Sequence, residues 1–391
     1  MNGAGDVLFF VYEAPIAYNV GVALLSALLK QAGFQTSLFV GNGNLNEWKQ
    51  LLSSIPVESI VCFSHVIKKD FELSLPYVDH ALDCGFTVVF GGTYHRRNND
   101  NQYDGRVLIC RGDGEELVNY AVYGNESVFN EPKVFTDLNS LPLPDYALFK
   151  NHPYNGHIQG FKPCVKLPYN TSRGCIGSCS FCEVQAQYKV PRIRTKVKED
   201  VEYLKVNHEF DVLFITDELC PYYSKEWRDS WGDLVTPFFA FIRADITEEQ
   251  LEWMISHGMV GCAFGVESGD EEFRNTVMRK GVTDLDILRT VGILRAHDVY
   301  YAPFFMIKYP GETFQQKLAT HKMARQIGGA PMIFEYTPVV YHTRSAKEQR
   351  YGSRRRRGRC CCSWYSWRSL RIKETRGCDK KRLQDQCRCS E

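Results

Sequence analysis

Residues 171–182 read Thr-Ser-Arg-Gly-Cys-Ile-Gly-Ser-Cys-Ser-Phe-Cys, which places three thiols at Cys175, Cys179 and Cys182. The spacings of four and three would put all three on one face of a helix, but the intervening glycines and serines favour a wrapped loop. Iron-sulfur clusters are usually held by four cysteines, so three leave one iron open to an outside ligand. The motif therefore predicts a reactive cluster. A zinc knot or three buried thiols is the alternative, and no fourth Cys or His pair lies nearby to support it.

Composition limits the rest of the chain. With 391 residues and 44% hydrophobic content, the chain is long enough for two or three globular domains. It has no apolar run long enough to span a membrane and no signal-peptide pattern, which predicts a cytoplasmic protein. Outside the tail, the cysteines lie in apolar runs and in the motif, as expected in a reducing compartment. The net charge of +1 gives no support for nucleic-acid binding.

Residues 1–135 alternate short apolar runs with helical patterns, which predicts an α/β domain built on a doubly wound parallel sheet. A helix is expected over 21–31, ending near Gly33. The expected strands are Val7 to Val11, Gln35 to Val40, Ser59 to Phe63, Phe86 to Phe90 and Val107 to Cys110.

The carboxyl ends of these strands carry polar residues and glycines, which let a ligand approach the backbone closely. The candidates are Ser64, Gly91, Gly92, Thr93, Gly112 and Glu115. The less favoured alternative is that these glycines form ordinary turns of a domain that has lost its cofactor. The neighbouring His65 is expected to be a hydrogen-bonded structural residue.

A Leu-Pro-Leu-Pro-Asp-Tyr segment at 141–146 predicts an extended linker over 136–162, because each proline restricts the backbone. Residues 163–345 again alternate strand-like and helical runs, consistent with a partial (β/α) barrel whose site lies at the carboxyl ends of its strands. Asp217 and Glu218 follow the apolar run 212–216.

The spacing CxxxCxxC with Phe181 before the last Cys resembles the signature of the radical S-adenosylmethionine (SAM) superfamily. The resemblance implies a [4Fe-4S] cluster on the three cysteines, SAM on the open iron, and reductive cleavage of SAM to a 5'-deoxyadenosyl radical. It also implies that Asp217, Glu218, Arg243 and Glu267 position SAM.

Residues 111–116, Arg-Gly-Asp-Gly-Glu-Glu, resemble the Arg-Gly-Glu-Gly-Glu element of the cobalamin-binding domain that precedes the radical SAM core in one group of these enzymes. The resemblance implies cobalamin at the strand ends above, although Asp113 departs conservatively from the pattern. No Asp-x-His-x-x-Gly sequence is present to supply a histidine ligand to cobalt.

Basic residues at two places in the second domain need separate comment against the family pattern. Lys308 stands where the family usually has glycine, so its side chain is expected to narrow the adenine pocket or reach the substrate. Arg279 and Lys280 are equally compatible with a family motif and with a solvated helix end.

The tail, residues 346–391, is basic and rich in cysteine and has no regular period. The favoured interpretation is out-of-frame or disordered sequence, and a metal-binding or nucleic-acid-binding tail is the alternative. If the tail is out of frame, the final barrel strand is expected to be missing.

The leading hypothesis is a cobalamin-dependent radical SAM methyltransferase acting on an unactivated carbon of a small-molecule or lipid-like substrate, with flavodoxin or ferredoxin as electron donor. A methylthiotransferase is the first alternative, and it would need a second cluster on Cys62, Cys84 and Cys110. A degenerate, non-catalytic iron-sulfur protein is the second.

Overall fold

The computed structural model describes residues 6–336, except 13–18, 42, 97–102, 104, 152–160, 162–163, 183 and 185–189. The tail and its cysteines lie outside the described residues. Within the part of the chain that is described, no helix is both long and apolar enough to cross a membrane.

A first sheet of five parallel strands has the order β2-β1-β3-β4-β5. Its strands are β1 Val7–Val11, β2 Thr36–Val40, β3 Ile60–Ser64, β4 Thr87–Gly91 and β5 Leu108–Ile109. Its helices are α1 Val20–Gln31, α2 Leu45–Ser54, α3 Lys68–Asp83 and α4 Glu116–Tyr123. The strand order reverses between β1 and β3, which opens a crevice at the carboxyl edge of the sheet.

Helices cover both faces of this sheet, as predicted. All five residues of β1 are buried, and successive side chains point to opposite faces. Phe9 joins the core shared with α1 and α4, whereas Phe10 packs edge-on against Trp48 of α2 at 5.4 Å between ring centroids. Burial on both faces explains why the strands are continuous apolar runs in the sequence.

A second sheet of six parallel strands follows the chain order β6-β9-β10-β11-β12-β13, as in the expected partial barrel. Its strands are β6 Lys166–Tyr169, β9 Val212–Ile215, β10 Phe238–Ile242, β11 Met259–Glu267, β12 Tyr300–Ile307 and β13 Met332–Glu335. Its helices are α5 Val197–Asn207, α6 Lys225–Asp229, α7 Glu248–Ser256, α8 Glu271–Thr276, α9 Asp284–Ala296 and α10 Phe314–Ile327. The last strand among the described residues, β13, pairs with β12.

A small antiparallel hairpin brackets the cysteine motif. Its strands are β7 Ser172–Arg173 and β8 Arg192–Ile193, and the three motif cysteines lie in the connection between them. The conformation of the cysteine loop therefore depends on how this hairpin is held.

The linker contacts both domains. Asp145 N donates to Ala23 O of α1 at 2.9 Å, and Ser26 Oγ donates to the Asp145 carboxylate at 2.6 Å. The next residue, Tyr146, begins a short 3-10 turn, and its hydroxyl donates to Pro168 O of β6 at 2.8 Å. The extended path predicted for this linker thus ends at Asp145, where the chain is fastened to α1.

Candidate functional site

The cysteine loop is a wrapped loop, as the glycine content predicted. Gly177 lies between two of the thiols, since a Cβ built on it would stand 3.5 Å from Cys175 Sγ and 3.7 Å from Cys179 Sγ. Its N–H donates to Cys175 Sγ at 3.3 Å, a contact that favours the thiolate. Cys182 N donates to Cys179 O at 3.1 Å and closes the turn. All three cysteines are partly exposed and none forms a disulfide.

Two cations lie beside this loop. The Arg243 guanidinium approaches Gly177 so closely that a Cβ there would be 3.0 Å from its Nη1. Lys280 Nζ lies 5.9 Å from the centroid of the Phe181 ring. Burial raises the pKa of the Cys175 thiol, whereas Arg243 and Lys280 act in the opposite direction. The loop therefore combines thiols, an N–H donor and positive charge, which fits an anionic cluster.

Arg243 directly follows β10, as the register predicted. Its Nε and Nη2 donate to Asp245 at 2.9 and 2.8 Å, and Nη2 also donates to Lys280 O at 2.7 Å. These bonds orient a partly exposed guanidinium next to the cysteine loop, where it can reach the carboxylate of a bound ligand.

Glu267 ends β11 in a left-handed conformation with φ of +68°. It is buried, and its carboxylate accepts a hydrogen bond from Lys280 Nζ at 2.9 Å. A Cβ at Gly265 would stand 1.9 Å from Glu267 Oε1, so a larger residue there would displace this carboxylate. The ladder between β11 and β12 shifts register at this point, which turns Glu267 toward the same end of the barrel as Arg243.

Asp217 is placed differently from the other residues implied to hold SAM. Its buried carboxylate accepts bonds from Thr171 N and Asn170 Nδ2, each at 2.7 Å, and from the Thr171 and Ser172 hydroxyls. Burial raises its pKa to about 7 despite these donors. The contacts fasten the end of β9 to the segment that leads into the cysteine loop.

Glu218, the next residue, turns the other way. It is exposed to an interdomain cavity of about 310 Å³, and it accepts from Gly174 N at 3.2 Å. The structure thus separates two carboxylates that are adjacent in sequence, one inside the barrel end and one on the cavity.

The six predicted strand-end residues of the first domain all line this same cavity. They are Ser64, Gly91, Gly92, Thr93, Gly112 and Glu115. The opposite wall comes from the second domain and includes Asn170, Arg173 and Glu218. The cavity therefore lies between the carboxyl edges of the two sheets.

The glycines around the cavity are of two kinds. A Cβ at Gly92 would stand 2.3 Å from His65 O, and one at Gly112 would stand 2.3 Å from Lys133 O, so backbone packing alone requires both glycines. A Cβ at Gly91 would meet nothing within 4 Å. Of these three glycines, Gly91 alone borders open space, and the fold itself explains the other two.

Glu115 is buried and faces the second domain. Its Oε1 accepts from Arg173 Nη2 at 2.6 Å, while its buried Oε2 has no hydrogen-bond partner among the described residues. A buried acceptor of this kind on a cavity wall fits a ligand that donates hydrogen bonds, such as the amide side chains of a corrinoid.

His65 is a structural residue, as expected. Its Nδ1 lies 2.6 Å from His95 Nε2, and its Nε2 lies 2.8 Å from Ser74 Oγ. Burial lowers the pKa of His65 well below its usual range and lowers the pKa of His95 to about 3, so the pair is neutral.

The cysteines required for a second cluster do not converge. Cys62 is buried in β3 and Cys110 is buried just after β5, whereas Cys84 is exposed at the end of α3, toward the opposite edge of the sheet. Among the described residues, no group of three or more His, Cys, Asp or Glu side chains is close enough together to hold a single metal ion.

Lys308 does not enter the site. Its side chain is exposed and pairs with Glu335 at the end of β13. Its φ of +65° explains why glycine suits this position in the resembling family.

Sequence reasoning missed the functional environment of Lys280 and Arg173. Lys280 was expected to be as compatible with a solvated helix end as with a motif, yet it is buried against Glu267, so the solvated interpretation is wrong for it. Arg173 lies inside the cysteine motif, but the motif itself predicts no role for this side chain. Arg173 could have been singled out from the sequence, because it lies two residues before Cys175. The sequence gives no comparable indication for Lys280.

No protein-family model matches the chain. A protein of Methanocaldococcus jannaschii with the provisional name of a methylthiotransferase is 26% identical over 345 residues, which is 81% of this chain and 73% of that protein. An anaerobic magnesium-protoporphyrin IX monomethyl ester cyclase of Cereibacter sphaeroides is 23% identical over 349 residues. The match spans 78% of this chain and about half of that protein, 55%.

Among solved structures, TsrM of Kitasatospora setae has a similar fold. TsrM is a radical SAM methyltransferase solved with tryptophan substrate and a SAM analogue. It aligns with a TM-score of 0.62 at 14% identity, over 84% of this chain and 72% of that chain. A second TsrM structure, with cobalamin and a [4Fe-4S] cluster bound, also aligns with a TM-score of 0.62.

The resemblance seen in the sequence is thus supported by the strand orders of both sheets and by relatives that span most of the chain. The chain therefore has the fold of TsrM, a radical SAM methyltransferase, over 84% of its length.

Proposed function

We propose that this protein is a radical SAM enzyme, and specifically a cobalamin-dependent methyltransferase acting on an unactivated carbon. Cys175, Cys179 and Cys182 hold the [4Fe-4S] cluster. Arg243 and Glu267 hold SAM together with Glu218, and Asp217 acts by fastening the segment before the cysteine loop. When bound, the cluster supplies the electron that cleaves SAM, and cobalamin carries the methyl group.

One observation carries the methyl-transfer part of the proposal. The cavity at the first sheet's carboxyl edge is closed on its far side by Arg173 and Glu218, which flank the segment leading into the cysteine loop. A cofactor in this cavity would lie next to SAM, and Gly91 leaves space for it. The two cofactor sites would therefore face one substrate. We propose a small or lipid-like molecule as this substrate, and flavodoxin or ferredoxin as the electron donor.

The methylthiotransferase alternative takes its support from the name of the M. jannaschii relative. It needs a second cluster, and the placement of Cys84 at the opposite edge of the sheet from Cys110 disfavours one. Counting iron after reconstitution separates the two, since a methylthiotransferase would bind about eight irons and a methyltransferase about four.

The test is anaerobic reconstitution of the full chain with iron, sulfide and hydroxocobalamin, followed by dithionite and SAM. We expect 5'-deoxyadenosine, retained cobalamin and about four irons per chain. Cys179→Ala should abolish deoxyadenosine, whereas Cys164→Ala, at a partly buried thiol outside the loop, should leave it unchanged.

Two results would overturn parts of this proposal. A folded protein that binds a cluster but forms no deoxyadenosine would be the degenerate iron-sulfur protein. Deoxyadenosine without retained cobalamin would remove the methyl-transfer mechanism and leave a radical SAM enzyme of another type.

A further inference from the structure

The hairpin that carries the cysteine loop has an internal conflict of charge. Arg173 of β7 and Arg192 of β8 are directly opposite each other in the antiparallel ladder. Like charges at opposed positions of a two-stranded ladder repel, and a hairpin of two residues per strand has little other stabilisation. The hairpin therefore needs an anion from elsewhere to hold it.

That anion comes from the first domain. Asp113 Oδ2 lies 2.6 Å from Arg192 Nη1 and 3.3 Å from Arg173 Nη1, so one oxygen serves both arginines. Glu115 adds a second carboxylate, 2.6 Å from Arg173 Nη2. Both acidic residues are buried, and low solvent exposure strengthens each pair.

Asp113 is itself held firmly. Its N–H donates to Lys133 O at 2.8 Å, its carboxylate accepts from Phe135 N at 2.8 Å, and Arg96 Nη2 lies 3.3 Å away. The preceding Gly112 packs so closely on Lys133 that a Cβ would not fit. The carboxylate is therefore at a fixed position in the first domain and not on a mobile arm.

We propose that Asp113 and Glu115 are positioning residues for the cysteine loop, and that the first domain thereby completes the cluster site of the second. The Asp-Gly-Glu stretch clamps the hairpin by pairing with Arg173 and Arg192. Arg173 is followed directly by Gly174 and Cys175, so its position sets where the loop begins. The role of these carboxylates is separate from contact with a ligand in the cavity.

The first readout needs neither cluster nor cofactor. Asp113→Asn leaves the two arginines facing each other without the shared anion. Hydrogen exchange at the hairpin, including Arg194 N, which donates to Thr171 O at 2.7 Å, should accelerate by about tenfold in the apo protein. Asp113→Glu, which restores the charge, should recover protection to within about threefold of wild type.

A matched control removes a carboxylate of similar setting away from the hairpin. Asp145→Asn loses a partly buried contact between the linker and Ser26 and Lys30 of the first domain. It should leave exchange at the hairpin unchanged even if the whole protein melts at lower temperature. A second variant, Asp113→Asn combined with Arg192→Gln, removes the repulsion between the arginines and should restore protection to within about threefold of wild type.

The second readout is the cluster itself. After anaerobic reconstitution, Asp113→Asn should hold at least about threefold less iron and sulfide per chain than Asp145→Asn, with a weaker cluster absorption band. If the wild type binds no cluster, the proposed function fails while the exchange result still decides this inference. The inference is overturned if Asp113→Asn matches Asp145→Asn in hairpin exchange, or if neither Asp113→Glu nor the double variant restores protection.

Discussion

The carboxyl edges of the two sheets meet at one cavity but are built from different chemistry. At the second sheet, charged groups are paired inside the domain, as in the buried pair of Lys280 with Glu267 and the partly exposed pair of Arg243 with Asp245. At the first sheet, the cavity is lined by glycines and neutral groups together with the charged residues Arg96, Asp113 and Glu115. The two carboxylates of the first domain pair across the domains with the hairpin arginines Arg173 and Arg192.

In parallel sheets, ligands bind at the carboxyl ends of the strands, and the comparison shows how these ends can suit two kinds of ligand. A compact anionic cluster needs fixed positive charge beside it, and that charge must in turn be balanced within the protein. A bulky ligand needs space and backbone access, which glycine provides. The following variants test whether charge dominates the second edge and shape dominates the first.

The largest effect is expected at Lys280. Lys280→Met leaves the buried Glu267 carboxylate without its cation, so we expect the free energy of unfolding to fall by about 3–5 kcal/mol. Adding Glu267→Gln should recover most of this loss. Urea unfolding measures the free energy of unfolding of both variants. Arg279→Met, at the exposed residue before Lys280, is the control. If Lys280→Met costs no more than Arg279→Met, buried charge does not dominate the second edge.

A pair of neighbouring glycines tests the first edge. Gly92→Ala should lower the free energy of unfolding by about 2–4 kcal/mol, because φ is +93° and the new Cβ meets His65 O. Gly91→Ala should change it by less than about 0.5 kcal/mol yet weaken hydroxocobalamin binding by about tenfold, because its Cβ enters the cavity. Thermal melts measure the stability of each variant, and equilibrium dialysis measures its affinity for hydroxocobalamin. Unchanged cobalamin binding in Gly91→Ala would contradict the shape argument.

Asp217 should make stability depend on pH. Its pKa is raised to about 7 in the folded protein but is near 4 when unfolded, so the folded state binds more protons between these values. The free energy of unfolding should therefore fall as the pH rises from about 4 to about 7. Asp217→Asn should reduce this dependence, although the loss of acceptors costs about 1–3 kcal/mol overall.

Urea unfolding at several pH values measures the Asp217 effect. Asp211→Asn, at an exposed carboxylate, is the control and should keep the wild-type slope. Equal slopes for wild type and Asp217→Asn would show that this carboxyl stays ionised in the folded protein.

The smallest effect is expected at Lys308. Lys308→Gly relieves a left-handed backbone conformation and should raise the free energy of unfolding by up to about 1 kcal/mol. Lys308→Ala loses the same exposed pair with Glu335 without relieving the backbone, so it isolates the conformational contribution. A stability of Lys308→Gly at or below that of Lys308→Ala would contradict this explanation.

Much of the fold could be predicted from the sequence, because parallel strands buried on both faces are continuous apolar runs. The predicted strand from Val7 to Val11 agrees with β1 at both ends, and the six strand-end candidates of the first domain do line one cavity. The separate environments of Asp217 and Glu218 could not be predicted, because neighbouring side chains at the end of a strand point in opposite directions and only the packing decides which is buried.

The sequence by itself determined the cysteine motif, the two parallel sheets and the residues at their strand ends, since these follow from local spacing and hydrophobic period. Only the tertiary structure decided that Lys280 neutralises Glu267 and that Asp113 holds Arg192, 79 residues away along the chain. Such pairs form where buried charges from distant segments must compensate one another, and that requirement arises only when the domains pack and water is excluded.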